Sequence, residues 1–130
     1  MPPERLAPDD PKEWLNRAAS NLAHARARGP GVYLEDLCFN AQQAAEKALK
    51  ALLLHQKVRF PFVHDIGELL RLLEESGQAI PDDVREAKQL TDYAVETRYP
   101  GFFEPVTEAE YQEALMLASR CFEWAHERLQ

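Results

Sequence analysis

Apolar residues recur at helical spacing in five stretches of the chain, separated by segments that contain proline or glycine. In the first stretch they run from Leu15 to Ala25 at intervals of three and four, which places them on one face of a helix. Asp10 suits the N-cap of this helix, and Glu13 suits the reciprocal half of a capping box. The run stops at Gly29-Pro30-Gly31, so we predict a first helix between Asp10 and this turn.

The second stretch is longer and runs from about Tyr33 to Lys57. Its apolar positions alternate by three and four, as on the seam of a packed bundle helix. Several are alanines, whose small side chains let a neighbouring helix approach closely. Pro61 lies in the next segment, where it removes a backbone donor and restricts the residue before it, so the helix must end earlier. The seam consists of Leu34, Leu37, Ala41, Ala44, Ala48 and Leu52.

Two further helices are predicted on either side of Gly77. Asp65 and Glu68 form a second capping-box pattern, which begins a short helix that ends near the glycine. A fourth helix starts at Pro81 and is predicted to reach Arg98, before the next proline. Its inward positions are Val84, Ala87, Leu90 or Thr91, and Ala94.

The last predicted helix follows a third capping-box pattern, formed by Thr107 and Glu110, and its apolar stripe extends to Leu129. No stretch shows strand alternation, so the predicted fold class is all-α. Short loops between helices favour antiparallel neighbours. We therefore expect residues 1–130 to form a single domain, an up-and-down antiparallel four-helix bundle with an additional short helix.

The composition is that of an acidic globular protein. Apolar residues make up 45% of the chain, enough for a globular core, and a net charge of −7 repels nucleic acid over most of the surface. A nucleic-acid function would therefore need a local basic patch. Cys38 and Cys121 lie in apolar helical patterns rather than in a zinc-type pair, so we expect buried thiols. No apolar run approaches the roughly 20 residues that span a bilayer, and the N-terminus has no apolar signal core, so we expect a cytoplasmic protein without a membrane segment.

Candidate chemistry is concentrated in two loops. If consecutive helices alternate in direction, the loop after the second helix, KVRFPFVHD, and the loop after the fourth, RYPGFFEP, lie at the same end of the bundle. This aromatic-basic pole would combine rings and cations in an otherwise acidic protein. Its residues are Phe60, Phe62, Phe102, Phe103, Lys57, Arg59, His64, Arg98 and Tyr99.

Two interpretations of the aromatic-basic pole remain open. The four phenylalanines close the end of the bundle or form a dimer interface, with the cations solvated around them. Alternatively, the rings stack on bases while the cations contact phosphates, as in sites for nucleotides or single-stranded nucleic acid. Both hold if the site forms across a dimer.

Several polar residues have a structural explanation beside a functional one. Arg98 either caps the last carbonyls of its helix or binds a phosphate or a partner carboxylate. His64, next to the cap Asp65, either belongs to a helix start or reaches a phosphate and transfers a proton. Tyr93 and Tyr99 either close the end of the bundle or stack on a base.

The polar flank of the second helix is open to the same two explanations. Lys47 and Lys50 lie away from the seam and are expected to be solvated, and Glu46 and Lys50 have the spacing of an ordinary i,i+4 pair. Gln43 is either a contact in a dimer cleft or a surface amide. No histidines at ligand spacing and no glycine-rich phosphate loop occur, so we predict no metal site and no cofactor.

Three blocks, in this order, resemble the HEPN domain family: AQQAAEKALKALL in the second helix, HDI at the start of the third, and LTDYAVETRYPG before the acidic-capped last helix. The resemblance extends from about Asp10 to Leu129. It implies a dimeric four- or five-helix bundle, commonly encoded beside a small nucleotidyltransferase as a toxin–antitoxin-like pair. Many relatives are metal-independent ribonucleases, and others bind nucleotides or act as non-catalytic partners.

The ribonuclease relatives use an arginine, a polar residue directly after it, and a histidine four to six positions beyond it. The histidine is a general acid or base on the ribose 2′-hydroxyl, and the arginine stabilises the developing phosphorane charge. Arg98 is the most family-like arginine, but no histidine follows it within six positions, so the motif is absent or degenerate. Three other arginines precede a histidine at about this spacing, and each is followed by an apolar residue: Arg17 with His24, Arg59 with His64, and Arg120 with His126.

The resemblance and the residues together lead us to expect the HEPN component of a toxin–antitoxin-like pair, a homodimer that binds nucleotide or RNA and has a nucleotidyltransferase partner. The alternatives are a metal-independent endoribonuclease, with His64 and Arg98 as the best catalytic candidates, or a purely structural interaction module. The expected interface residues are Phe60, Phe62, Phe102 and Phe103. The expected nucleotide-binding or RNA-binding residues are Arg98, Tyr99, Tyr93, His64, Arg59, Lys57, Gln43 and Lys47.

Overall fold

The computed structural model describes residues 2–94 and 105–129, and every regular element in these ranges is helical. This confirms the predicted all-α class. The elements are α1 (Pro11–Ala25), α2 (Leu34–His55), α3 (Ile66–Glu75), α4 (Asp82–Arg85), a 3-10 helix (Glu86–Ala94) and α5 (Glu108–Arg128).

The helix starts follow the predicted caps, but the capping box is complete at α5 alone. There the Thr107 hydroxyl accepts from the Glu110 N–H, and the Glu110 carboxylate accepts from the Thr107 N–H. Asp10 and Asp65 cap α1 and α3 through their own carboxylates. The carboxylate of Glu13 accepts instead from Leu6 N and Arg17 Nε, and Glu68 accepts from Arg71.

The central helix of the bundle is α2, which packs against α1, α3, the 3-10 helix and α5. Thirteen of its 22 residues are buried, so its apolar seam is much wider than that of a helix with one neighbour. The small side chains of α2 allow this many close neighbours. These fully buried alanines are Ala41, Ala44, Ala45, Ala48 and Ala51.

The contacts along α2 give the direction of its largest neighbours. Asn21 of α1 donates to Asn40 of α2 at 3.0 Å, whereas Lys50, ten residues further along α2, lies over the ring of Trp14, earlier in α1. The order of the contacts is reversed, so α1 and α2 are antiparallel.

The last helix, α5, runs in the same direction as α2. Just before α5 begins, Val106 N donates to Glu35 near the start of α2. Further along both helices, Cys121 Sγ contacts the carbonyl of Ala45. The order of the contacts is therefore the same in the two helices, and α5 begins at the end of the bundle where α2 begins.

The loop between α2 and α3 turns back along α2. Gln42 lies in the middle of α2 and reaches the carbonyl of His64, just before α3, while Ser76 at the end of α3 donates to Gln56 at the end of α2. The short helix α3 is therefore parallel to α2 rather than a fifth alternating member of the bundle.

The chain then reverses from α3 into α4 and the 3-10 helix. Arg85 pairs with Glu74 at 2.7 Å, and the Ile66 N–H donates to the Thr91 hydroxyl, so later residues of one segment meet earlier residues of the other. Together α1, α2, α4 with the 3-10 helix, and α5 alternate in direction, and α3 is the additional short helix. This is the predicted architecture.

The fourth helix differs from its prediction. Only Asp82–Arg85 is α-helical, and Glu86–Ala94 continues as a 3-10 helix. The buried residues Val84, Ala87 and Leu90 recur every three positions, which matches the three residues per turn of a 3-10 helix. The predicted end at Arg98 lies outside the described residues.

Both cysteines are buried and neither forms a disulfide, as predicted. Burial raises the pKa of Cys38 to about 12 and that of Cys121 to about 12, so neither thiol is a nucleophile near neutral pH. Within the described ranges, no helix has the length and apolar character that crossing a membrane requires.

Candidate functional site

Three buried polar side chains form a stripe on α2. Gln42, Glu46 and Lys50 follow each other at intervals of four, so they project from one face of the helix. Their exposed fractions are 0%, 3% and 5%. Charged side chains are almost never buried this completely unless they are paired, so the stripe marks a specific polar cluster inside an otherwise apolar core.

The Glu46 carboxylate is the centre of this cluster. Its Oε2 atom lies 2.9 Å from Lys50 Nζ, and its Oε1 atom accepts from Gln42 Nε2 at 2.9 Å and contacts His64 Nδ1 at 2.9 Å. Burial alone would raise the pKa of Glu46. The hydrogen bonds from Lys50, Gln42 and His64 outweigh burial, so the pKa of Glu46 is lowered and the group is a carboxylate at neutral pH.

The same contact orients His64. An ionised carboxylate can only accept hydrogen bonds, so Nδ1 of His64 carries the proton on the side of Glu46. The side chain of His64 is 61% exposed, so the ring combines a buried anchor with access to solvent. A histidine held by a carboxylate in this way is suited to proton transfer through its other nitrogen, Nε2.

Lys50 connects the polar cluster to a pair of aromatic rings. Its ammonium lies 6.0 Å from the ring centroid of Trp14 and 5.5 Å from that of Phe60. The two rings meet edge to face at 6.1 Å, with an interplanar angle of 81°. The indole N–H of Trp14 is held by the Pro8 carbonyl at 2.8 Å, so the orientation of this ring is fixed.

These rings form the floor of an open recess of about 540 Å³. Phe62 stands at its edge with a fully exposed side chain, and Lys57 and Arg59 are exposed beside it. Three of the eight lining residues are cations and none is acidic, in a protein of net charge −7. We call this the aromatic-basic recess; it is lined by Trp14, Lys50, Leu54, Lys57, Val58, Arg59, Phe60 and Phe62.

Lys57 occupies a strained backbone position at the entrance of the recess. Its φ is 58°, in the left-handed region that glycine prefers. The Lys57 N–H donates to the Leu54 carbonyl and the Val58 N–H to the Leu53 carbonyl, which is the Schellman pattern at a helix end. The end of α3 uses the same pattern with Gly77 in the left-handed position, so the lysine is an unusual choice at α2.

Two other predicted binding residues lie earlier in α2, outside the recess lining. Lys47 is half-buried and donates to Asn21 Oδ1 at 2.8 Å. Gln43 is also half-buried and donates to the Gln42 side chain at 2.8 Å. Lys47 therefore faces the groove between α1 and α2, and Gln43 extends the buried polar stripe.

The single aromatic-basic pole predicted from helix alternation is not what the described residues form. Tyr93 is half-buried, and burial raises its pKa to about 12, with further contributions from Cys38 and Glu110 near the starts of α2 and α5. Cys38 and Lys50 are twelve residues apart, about 18 Å along α2. The described residues differ from this prediction because α3 runs parallel to α2, so the loop after α2 and the start of α5 lie at different levels of the bundle.

Four of the predicted site residues fall between the two described ranges. Arg98, Tyr99, Phe102 and Phe103 lie outside the described residues. The structure therefore brings together Lys57, Arg59, Phe60 and Phe62, places His64 nearby on Glu46, and separates Tyr93 from them.

The sequence analysis did not identify the buried side of the recess, which Lys50 and Trp14 form. Lys50 was expected to be solvated, yet it is buried against Glu46 and two rings, and Trp14 was not recognised as a site residue. The available signal was the repeat of polar residues at 42, 46 and 50 between alanines, which is unusual on the inner face of a helix. No group of three metal-binding side chains lies together in residues 2–94 and 105–129.

The fold is that of an all-helical bundle with a polar cluster on its central helix. A family model of the HEPN domain matches residues 11–129, so the chain belongs to the HEPN domain family. A protein from Thermus thermophilus with a known crystal structure is 38% identical in sequence to this chain. The two structures superpose with a TM-score of 0.80, and the match covers 92% of this chain and 98% of the Thermus chain. An archaeal HEPN homologue with a known crystal structure is 28% identical in sequence. It superposes with a TM-score of 0.74, and the match covers 98% of this chain and 100% of the archaeal chain. A comparison with curated proteins gives no significant match.

Proposed function

We propose that this HEPN protein binds a nucleotide or single-stranded RNA in the aromatic-basic recess. In this proposal a base stacks on the exposed ring of Phe62 and the rings at the recess floor, while Lys57 and Arg59 contact phosphate. Stacking is insensitive to base identity, so the proposal predicts little preference among the four bases.

The observation that carries the proposal is the fully exposed Phe62 ring beside two exposed cations, Lys57 and Arg59, in a recess without acidic lining residues. Phe62 shares the recess with Trp14 and Phe60, and contiguous exposed apolar surface marks interaction sites. The local positive charge also opposes the repulsion that a protein of net charge −7 exerts on a polyanion. Rings and cations together are the combination that binds single-stranded nucleic acid.

The direct test is a titration with a fluorescently labelled oligouridine. Phe62→Ala should lose about 1–3 kcal/mol of binding free energy, the range measured for removing one stacking partner. Tyr33→Ala is the matched control, because Tyr33 is an exposed aromatic residue before α2, away from the recess. Equal affinity of Phe62→Ala and wild type would contradict the proposal.

A second candidate function is metal-independent RNA cleavage, which is favoured by the contact between His64 and Glu46. A carboxylate on Nδ1 leaves Nε2 exposed for the 2′-hydroxyl proton, and Arg98 is the candidate for stabilising the transition state. RNA cleavage in the presence of EDTA, lost in both His64→Ala and Arg98→Ala but retained in His55→Ala, would establish this activity. His55 is a suitable control because it is an exposed histidine at the end of α2.

We also propose a homodimer and a nucleotidyltransferase partner, as in toxin–antitoxin-like pairs of this family. Phe62 is the first residue to test in either interface, since a fully exposed ring gains most from burial. Light scattering of Phe62→Ser and wild type measures self-association. Co-purification with a nucleotidyltransferase encoded in the same gene neighbourhood tests the partner, and a monomeric wild type without such a neighbour would contradict this part of the proposal.

A further inference from the structure

Two cations lie one helical turn beyond the recess, in the groove between α1 and α2. Arg17 follows Trp14 by three residues on α1, and Lys47 precedes Lys50 by three residues on α2. Residues three apart share a helix face, and α1 and α2 are antiparallel. Going from Trp14 to Arg17 on α1, or from Lys50 to Lys47 on α2, therefore leads in the same direction along the groove, away from the recess.

Arg17 and Lys47 each keep N–H donors that their present hydrogen bonds do not use. Arg17 donates through Nε to Glu13 at 2.7 Å and its side chain is 55% exposed. Lys47 donates to Asn21 at 2.8 Å, which uses one of its three ammonium protons. Arg17 lies on α1 between Trp14 and Asn21, which both contact α2. The contact with Glu13 uses only Nε of its guanidinium.

The two cations also repel each other. Burial lowers the pKa of Lys47, and the nearby charge of Arg17 lowers it further. Glu13 pairs with Arg17 at 2.7 Å and so offsets part of this repulsion. The charge of Glu46 also raises the pKa of Lys47, yet burial and the neighbouring cations leave this pKa lowered overall. An anion placed between Arg17 and Lys47 would relieve the repulsion that remains.

We propose that Arg17 and Lys47 form a second subsite that binds a phosphate group. This inference rests on the proposed function in one respect: the phosphate belongs to the same single strand whose base occupies the recess. A free inorganic phosphate has the same chemistry. The strand would then lie along the groove between α1 and α2, with the next nucleotide one helical turn, about 5 Å, from the recess.

The test compares a ligand with one phosphate and a ligand with several. Uridine 5′-monophosphate and a labelled hexamer of uridylate are titrated against wild type, Lys47→Gln and Arg17→Gln. Arg120→Gln is the control, because Arg120 is an exposed arginine on α5. Arg17→Lys is a second variant that keeps the charge, in case Arg17→Gln destabilises the fold by freeing the buried Glu13.

The expected result is a five- to tenfold loss of hexamer affinity in Lys47→Gln and Arg17→Gln, with mononucleotide affinity within twofold of wild type. The slope of log affinity against log salt should fall by about 0.7, the value for one phosphate on a single strand. Arg17→Lys should retain most of the affinity, and Arg120→Gln should match wild type. Wild-type hexamer affinity in Lys47→Gln would overturn the proposal.

Inorganic phosphate distinguishes this subsite from the recess. In NMR titrations at constant ionic strength, phosphate should shift the Arg17 Nε–H resonance in wild type and not in Lys47→Gln. If phosphate shifts this resonance but no nucleotide binds, the proposed function fails and the subsite is one for free phosphate. If phosphate causes no shift, the subsite itself is refuted, whatever the recess binds.

Discussion

Glu46 and Lys50 form an ion pair of 2.9 Å on consecutive turns of α2, with side chains only 4% and 7% exposed. This pair joins the two parts of the candidate site, since Glu46 holds His64 and Lys50 contacts the rings at the recess floor. A buried pair adds little net stability, because desolvation offsets the attraction between the charges. Its position between the histidine and the recess favours a functional reason for the pair.

Removing one member of the pair should strongly destabilise the protein. Lys50→Met leaves the Glu46 carboxylate buried without its cation, and we expect a loss of about 3–5 kcal/mol in the free energy of unfolding. Urea denaturation followed by circular dichroism measures it. The double variant Glu46→Leu with Lys50→Met should recover part of the loss, and a cost below about 1 kcal/mol for Lys50→Met alone would contradict the buried pairing.

Glu46 should also make stability depend on pH in the acid range. Its folded-state pKa lies below the ordinary value of 4.5, so the unfolded chain binds the proton more readily. The stabilisation is fully present above about pH 4.5 and is lost as the pH falls through the folded-state pKa. Urea midpoints between pH 3 and pH 7 should fall more steeply for wild type than for the Glu46→Leu, Lys50→Met double variant. Identical profiles would show that Glu46 does not contribute.

Lys57 should be replaceable by glycine with a gain in stability and a loss of binding. A left-handed conformation costs a non-glycine residue about 1–2 kcal/mol, and the greater freedom of glycine in the unfolded chain returns about 0.4–1 kcal/mol of this. We therefore expect Lys57→Gly to raise the free energy of unfolding by about 0.5 kcal/mol. Gly77→Ala, at the equivalent position of α3, should lower it, and changes of the same sign in both variants would contradict the comparison.

A titration with labelled oligouridine tests whether Lys57 also contributes to binding. Because Lys57 contributes a cation to the recess, Lys57→Gly should bind more weakly and with a smaller salt dependence although it is more stable. A more stable variant with unchanged affinity would mean that the strained lysine has no role in binding.

The helices were predictable because their signals are local. The apolar spacing and the caps Asp10, Asp65 and Thr107 depend on residues within one or two turns of each other, and α1, α2, α3 and α5 lie where these signals placed them. The 3-10 helix was not recognised, although the spacing of Val84 and Ala87 by three was visible. An i,i+3 repeat fits both helix types, and the tertiary contacts around it decide between them.

The arrangement of the site was less predictable because it depends on topology. The expectation of one pole assumed that every helix alternates in direction, and α3 alone does not. Lys50 could not be distinguished from a solvated lysine, because the rings of Trp14 and Phe60 that cover it come from distant parts of the chain. Phe62, Arg59 and Lys57 were recognisable because they cluster in one loop, and binding residues lie disproportionately on loops.

Fluorescence of Trp14 tests binding in the recess most directly. The chain has two tryptophans, and Trp124 Nε1 is buried with no hydrogen-bond partner in residues 2–94 and 105–129. Trp124→Phe therefore removes no described hydrogen bond and leaves Trp14 as the single reporter. A base that stacks in the recess should quench this fluorescence saturably as oligouridine is added, and Phe62→Ala in the same background should weaken the titration. Unchanged Trp14 fluorescence at oligouridine concentrations that saturate binding would show that the ligand lies elsewhere and would contradict the proposed site.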